Sequence, residues 1–188
     1  ADEIAVGCGR TGSFFACEQA QIWPDFLCLS KGISGGYLPL SLVLSTDQVF
    51  EAFLDDDVTR GFLHSHSYTG NPLACRAALA TLDIFQEDDV LAANRGRAAL
   101  LRQAMDQRFA GHPAARHLRS RGMILAFDVE TERANFSRRF FTAALDRGVL
   151  LRPIGRTVYF MPPYIVTEAE IEHLMDGAAA ALEAALAP

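Results

Sequence analysis

The chain has almost no lysine. Of its 17 basic side chains, one is Lys31 and the other sixteen are arginine. That scarcity singles Lys31 out, because arginine stays protonated, whereas a desolvated lysine can lose its proton and attack a carbonyl. A plain surface lysine spared by a codon bias is the competing reading. Cysteine is sparse and unpaired in sequence: Cys8, Cys17, Cys28 and Cys75 form no C-x-x-C, which argues against a zinc knuckle or a dithiol centre and for free thiols in a reducing compartment. No apolar run approaches the roughly 18 residues of a membrane span, and the first residues lack the blocks of a secretory signal. Positive charge is also short. A net charge of -6 and a pI near 5.3 give no electrostatic pull toward phosphate backbones or anionic lipid. The expectation is a cytoplasmic protein without nucleic-acid or membrane partners.

What is present suits a globular core: 50 % of the 188 residues are hydrophobic and 21 % charged, enough for one or two domains. The opening Asp2-Glu3-Ile4 reads as the end of a strand whose beginning is absent, so the chain is expected to be a fragment. A glycine loop at 7–12 follows, and the run Phe26-Leu27-Cys28-Leu29 is short enough for a buried strand. Residues 30–36 read as a flexible turn placing Lys31 at a strand end, and 40–45 as the next strand. Asn71, followed by Pro72, is a natural helix start, with Leu73, Ala77, Ala80, Leu82 and Ile84 as its apolar face; a second helix is expected over 89–109. Further on, 123–129, 149–152 and 157–161 read as strands and 136–146 as a helix. Thr167 with Glu170 is a capping box for a final helix. The chain is therefore divided near residue 86 into an α/β piece, 1–86, and a smaller α+β domain, 87–188.

Several residues carry candidate chemistry, each with a plainer alternative. Gly7-Cys8-Gly9-Arg10-Thr11-Gly12 matches G-x-G-x-x-G, but the dinucleotide version needs a full strand before it and a helix opening on it. A tight loop passing close to a ligand or another chain fits better. His64 and His66 alternate as metal ligands could, yet no third ligand stands at useful spacing. Ser67 and Thr69, just ahead of the Asn71 helix start, suit either phosphate binding or simple capping. Asp2 at a strand end is by itself an ordinary solvated acid. Arg152 closes an apolar segment before Pro153, where its fork could clamp a carboxylate or form a structural salt bridge. Tyr159 faces a neighbouring strand and could be only core.

Taken in order, Asp2-Glu3-Ile4, Gly9-Arg10-Thr11-Gly12, Leu29-Ser30-Lys31-Gly32-Ile33-Ser34-Gly35-Gly36 and Ser67-Tyr68-Thr69-Gly70-Asn71-Pro72 resemble the class III aminotransferases, enzymes that use pyridoxal 5'-phosphate on the fold type I scaffold. The likeness covers essentially the whole chain. It implies an α/β fold comprising the C-terminal part of the cofactor-binding large domain and a small α+β C-terminal domain. It also implies roles. Lys31 would hold the cofactor covalently and move a proton, Asp2 would pair with the pyridine nitrogen, and Ser67 would bind the cofactor phosphate of a partner subunit in a homodimer. The stretch from His64 to Cys75 and the segment from Arg152 to Tyr164 look most like the branch that aminates 8-amino-7-oxononanoate with S-adenosylmethionine as donor, in biotin biosynthesis. There Arg152 would grip the acceptor's far carboxylate, with Tyr159 and Ser65 lining its pocket. Another class III ω-aminotransferase, acting on an ornithine-, lysine- or γ-aminobutyrate-like substrate, is one alternative, and a non-catalytic association fragment is another. Members of the family are about twice as long, so this chain is expected to hold half an active site and to bind cofactor poorly unaided.

Overall fold

In the computed structural model, which describes residues 1–188, the chain forms two units, Ala1–Leu91 and Ala92–Pro188. The first contains α1 (Ala16–Gln19), β1 (Phe26–Leu29), a 3-10 turn (Lys31–Ser34), β2 (Leu42–Ser45), α2 (Asp47–Glu51), a second 3-10 turn (Val58–Arg60) and α3 (Pro72–Glu87). Strands β1 and β2 pair antiparallel, from Phe26 opposite Ser45 to Leu29 opposite Leu42. The expected strand end at the start of the chain is there as a parallel bridge between Asp2 and Cys28. Cys28 N donates to the Ala1 carbonyl and Glu3 N to the Cys28 carbonyl, both at 3.0 Å.

Helix α3 starts where its sequence dictates. Asn71 Oδ1 accepts from Leu73 N at 3.0 Å and Ala74 N at 3.5 Å, and Pro72 occupies a first-turn position that has no use for a donor. Its buried face matches the expected one only in part: Leu82 packs against the core and Ala77 and Ala80 are half-buried. Ala74 and Ala78 are buried, whereas Leu73 is 70 % and Ile84 51 % exposed. The helix packs against the 3-10 turn at Lys31–Ser34, and alanines one turn apart permit that close approach where leucine would hold it off. A small core forms there from Cys8, Ile33 and Ala78, flanked by Phe14, Leu40, Leu42, Leu82 and Phe85. β1 is less buried than expected: only Leu29 is inside, since the strand sits in a narrow sheet with an open face. Trp23, Tyr37, Phe62 and Leu63 are among many large apolar side chains this unit leaves exposed, far more than isolated surface residues would account for.

The second unit holds most of α4 (Val90–Phe109), then β3 (Ala115–Arg121), β4 (Ile124–Val129), α5 (Phe136–Leu145), β5 (Thr157–Phe160) and α6 (Glu168–Leu186). The strands form an antiparallel sheet in the order β3-β4-β5. Strict alternation along β4 buries Leu125, Phe127 and Val129 in one core with Leu101, Met105 and Phe109 of α4, Phe136 and Phe140 of α5, and Ile171, Met175 and Leu182 of α6. Phe109 and Phe127 stack with ring centroids 4.4 Å apart. The Thr167–Glu170 capping box forms as its spacing predicts.

Two elements depart from the sequence reading. Strand β3 had no apolar signal, because Arg116, His117, Arg119 and Arg121 dominate it. It is an edge strand with a bulge between Arg116 and Arg119, and charge and bulges at an edge suppress pairing with foreign strands. Conversely, 149–152 is not a strand. Val149 and Leu151 point inward while Leu150 and Arg152 are exposed, so the alternation reflects burial without a partner ladder.

Candidate active site

The turn that carries Lys31 is held from three sides. Ile33 anchors it in the first unit's core, 4 % exposed. Ser30 Oγ donates to the Leu40 carbonyl at 2.7 Å and Ser34 Oγ to the Leu38 carbonyl at 2.6 Å. From behind, Gly32 lies so close to Cys8 that a β-carbon on it would stand 2.8 Å from the Cys8 β-carbon. Residues 30–36 are therefore an ordered turn rather than the expected flexible one. Lys31 itself adopts a left-handed backbone, φ 48°, a conformation that costs about 1 kcal/mol or more for a side chain of its kind and persists only where surrounding structure enforces it. Its side chain is exposed, so the first unit holds the lysine in place but does not supply the desolvation that the sequence argument attached to it.

Asp2 lies on the backbone segment bridged to β1, opposite Cys28, which precedes Lys31 by three residues. One carboxylate oxygen accepts from Ile4 N at 3.0 Å, and neither Asp2 nor Lys31 forms an ion pair within the chain. A primary amine on the turn after β1 and a carboxylate on the segment bridged to β1, neither of them ion-paired, are a donor set that suits an aldehyde-bearing, ring-nitrogen cofactor.

Glu3 was not singled out by the sequence, and it does much of the positioning. Buried to 3 % exposure, its two carboxylate oxygens accept from Ala16 N at 2.9 Å and Cys17 N at 2.7 Å. It thereby fixes the 7–12 loop between the Asp2 segment and α1. The only clue was an acid embedded next to an apolar strand end. Burial, with help from the Glu3 charge, pushes the Cys8 thiol up to about 11, so Cys8 is packing material and not a nucleophile. The loop's glycines also serve packing: a β-carbon at Gly9, φ 85°, would meet Leu91 at 2.9 Å and Phe85 at 3.2 Å. No helix opens directly on the loop, which removes the dinucleotide reading.

Ser65 and Ser67 lie in an exposed loop that turns into α3. His66 N donates to Thr69 Oγ1 and Tyr68 N to His66 Nδ1, both at 3.1 Å. Asn71 already caps α3, so of the two readings for this stretch the capping belongs to Asn71, and the Ser67 hydroxyl is left without a hydrogen bond in the chain.

In the second unit, Arg152 is exposed and makes no salt bridge. It lines an open groove of about 410 Å³ together with Ala134, Asn135, Ser137, Arg138 and Phe141. Tyr159 is half-buried on β5 opposite Ala126 and does not line that groove. Two residues from it, Thr157 Oγ1 donates at 2.7 Å to Asp128, which also takes two 3.0 Å bonds from the Arg119 fork and one of 3.1 Å from His117 Nδ1. The Arg119 and Thr157 bonds outweigh partial burial and pull the Asp128 carboxyl down to about 2.

The model for the aminotransferase class-III family matches residues 1–182. An adenosylmethionine-8-amino-7-oxononanoate aminotransferase of Helicobacter pylori is 46 % identical over 186 residues, covering 94 % of this chain and 42 % of its own length. One of the same name from Synechococcus elongatus is 39 % identical, with 93 % and 41 % covered. Among solved structures, the enzyme of that name from Methanocaldococcus jannaschii superposes with a TM-score of 0.88 at 33 % identity, covering 96 % of this chain and 44 % of that one. An (S)-enantioselective omega-transaminase from Thermomicrobium roseum gives 0.90 at 31 % identity, with 99 % and 43 % covered. The chain spans about two fifths of the length of the curated relatives it matches.

Proposed function

The chain belongs to the class-III aminotransferases, and we propose that it is the C-terminal part of an enzyme that transfers the amino group of S-adenosylmethionine to 8-amino-7-oxononanoate, giving 7,8-diaminononanoate for biotin synthesis. Enzymes of this class depend on pyridoxal 5'-phosphate, and the chain carries part of their fold type I architecture. The observation that carries the reading is the chain's one lysine, held on an enforced left-handed turn just past the strand to which the Asp2 segment is bridged.

The cofactor supplies an aldehyde that captures amines and a ring that accepts the electrons released at the substrate carbon. Lys31 Nζ is the group that holds it and the base that carries the proton. Asp2 presents negative charge to the ring nitrogen and keeps a proton there. The Ser67 hydroxyl binds the phosphate of the cofactor in the other subunit of a homodimer. Arg152 binds the acceptor's carboxylate in the groove it lines. The first unit belongs to the cofactor-binding large domain and the second is the small domain. The exposed lysine and the apolar surface of the first unit fit a half-site that binds cofactor weakly by itself. The names of the curated relatives favour the oxononanoate substrate over other ω-amines.

Borohydride trapping tests this directly, because the chain's only primary amines are Lys31 and the amino terminus. Protein treated with excess pyridoxal phosphate, reduced and digested should carry the adduct on Lys31, with less of it in Asp2→Asn. Labelling confined to the amino terminus sinks the proposal. Tight cofactor binding with unaided turnover would instead sink the half-site reading.

A further inference from the structure

The groove beside Arg152 contains a second guanidinium with nothing to neutralise it. Most of the sixteen arginines hold an acid or a backbone carbonyl. Arg119 grips Asp128, Arg108 pairs with Glu172 and Asp176, and Arg139 donates to the carbonyls of Ala184 and Ala187. Arg138 and Arg152 make no hydrogen bond or ion pair, yet both line the same groove. Their pairing is built into the fold. Ser137, Arg138 and Phe141 share one face of α5, with Ala134 just ahead of its N-cap, and Ser137 Oγ donates to the Pro153 carbonyl at 2.8 Å. That bond joins the residue before Arg138 to the residue after Arg152, so the two arginine backbones are tied side by side. Asp146 lines an adjoining groove with Arg138 but forms no ion pair with it.

We infer that Arg138 is a second ligand for the carboxylate that Arg152 binds, and that the two form a clamp which selects substrates with an anionic tail over neutral amines. Two uncompensated cations facing an open groove repel each other, and an anion between them removes that repulsion while satisfying both forks. Phe141 and Ala134 give the groove an apolar wall suited to the methylenes next to a fatty-acid carboxylate. This inference rests on the proposed substrate class. It adds a specificity-determining residue outside the Arg152-Pro153 motif, one that the sequence reading passed over because Arg138 sits in an ordinary polar helix turn.

The test uses the 188-residue chain with nonanoate as probe, read from the Nε–H NMR signals of the arginines. Nonanoate should move the Arg138 and Arg152 signals along one binding curve, and methyl nonanoate should move neither. Arg138→Ala should weaken nonanoate binding about five- to tenfold, and Arg138→Lys should weaken it less. Both variants should melt as the parent does, because Arg138 is exposed and unpaired. If Arg138→Ala leaves the nonanoate affinity unchanged while Arg152→Ala abolishes it, the clamp is overturned and the aminotransferase reading stands. Inorganic phosphate binding more tightly than nonanoate also overturns it, in favour of a dianion site. Coupled nonanoate binding in a chain whose Lys31 cannot be trapped supports the clamp while removing the proposed reaction.

Discussion

Substituting Gly32 by alanine isolates what holds Lys31 in place. The added methyl would stand 2.8 Å from the Cys8 β-carbon and 3.4 Å from its sulfur, well inside contact distance, and Cys8 is 3 % exposed with no room to retreat. Overpacking of this kind costs about 1–3 kcal/mol. Alanine also restricts the unfolded chain, which returns about 0.4–1 kcal/mol at a compatible backbone. The clash wins, and the net loss should be about 1–2 kcal/mol. The obstacle is a single methylene, so Cys8→Gly should remove it. Glycine is well suited there because Cys8 has φ 54°. In the Cys8→Gly background, Gly32→Ala should cost less than about 0.5 kcal/mol. The readout is hydrogen exchange at the amides of Ile33 and Gly35, which donate within the turn to the carbonyls of Ser30 and Gly32. Exchange in Gly32→Ala should quicken about five- to thirtyfold and return toward the parent rate in the double variant. A cost that is the same in both backgrounds would mean that Cys8 does not brace the turn, and the account of how Lys31 is positioned would fail.

Asp128 should make the second unit acid-sensitive. Its carboxyl lies below its ordinary value in the folded state, so the stabilisation is complete above about pH 4 and disappears as pH falls toward 2. Because Asp128 is a third exposed, screening limits the effect to about 1 kcal/mol. Urea titrations should show Asp128→Asn weaker than the parent by that amount at pH 6, with the gap closing by pH 2; a gap independent of pH refutes the charge argument. Asn71→Ala removes the acceptor for the first amides of α3 and should cost about 1 kcal/mol. Faster exchange at Leu73 and Ala74 would report that loss, and unchanged exchange would show that Asn71 is not the effective cap.

Legibility varied with how local the cause was. The start of α3 at Asn71-Pro72 and the capping box at Thr167 were readable because a cap needs only a side chain and the amides two or three residues on. The same holds for Lys31, whose solitude is a fact of composition. The buried face of α3 was read correctly at Leu82 and missed at Ala74 and Ala78, because the sequence cannot say which neighbour a helix meets. Here that neighbour is a tight turn that accepts Ala74 and Ala78 and excludes Leu73. β3 went unseen because its arginines answer to the edge of a sheet, and 149–152 was mistaken for a strand because inward and outward alternation needs only a core on one side.

Residue type and order by themselves determined which groups are available for chemistry: one amine side chain, a strand-end carboxylate, hydroxyls before a capped helix, and an arginine ahead of a proline. Only the tertiary structure decided that Glu3 is a buried brace, that Cys8 stands behind Gly32, and that Arg138 shares a groove with Arg152. Those relations join residues that are far apart in the chain or on separate elements. They are set by packing and by the need to hydrogen-bond buried polar groups, neither of which a one-dimensional pattern contains.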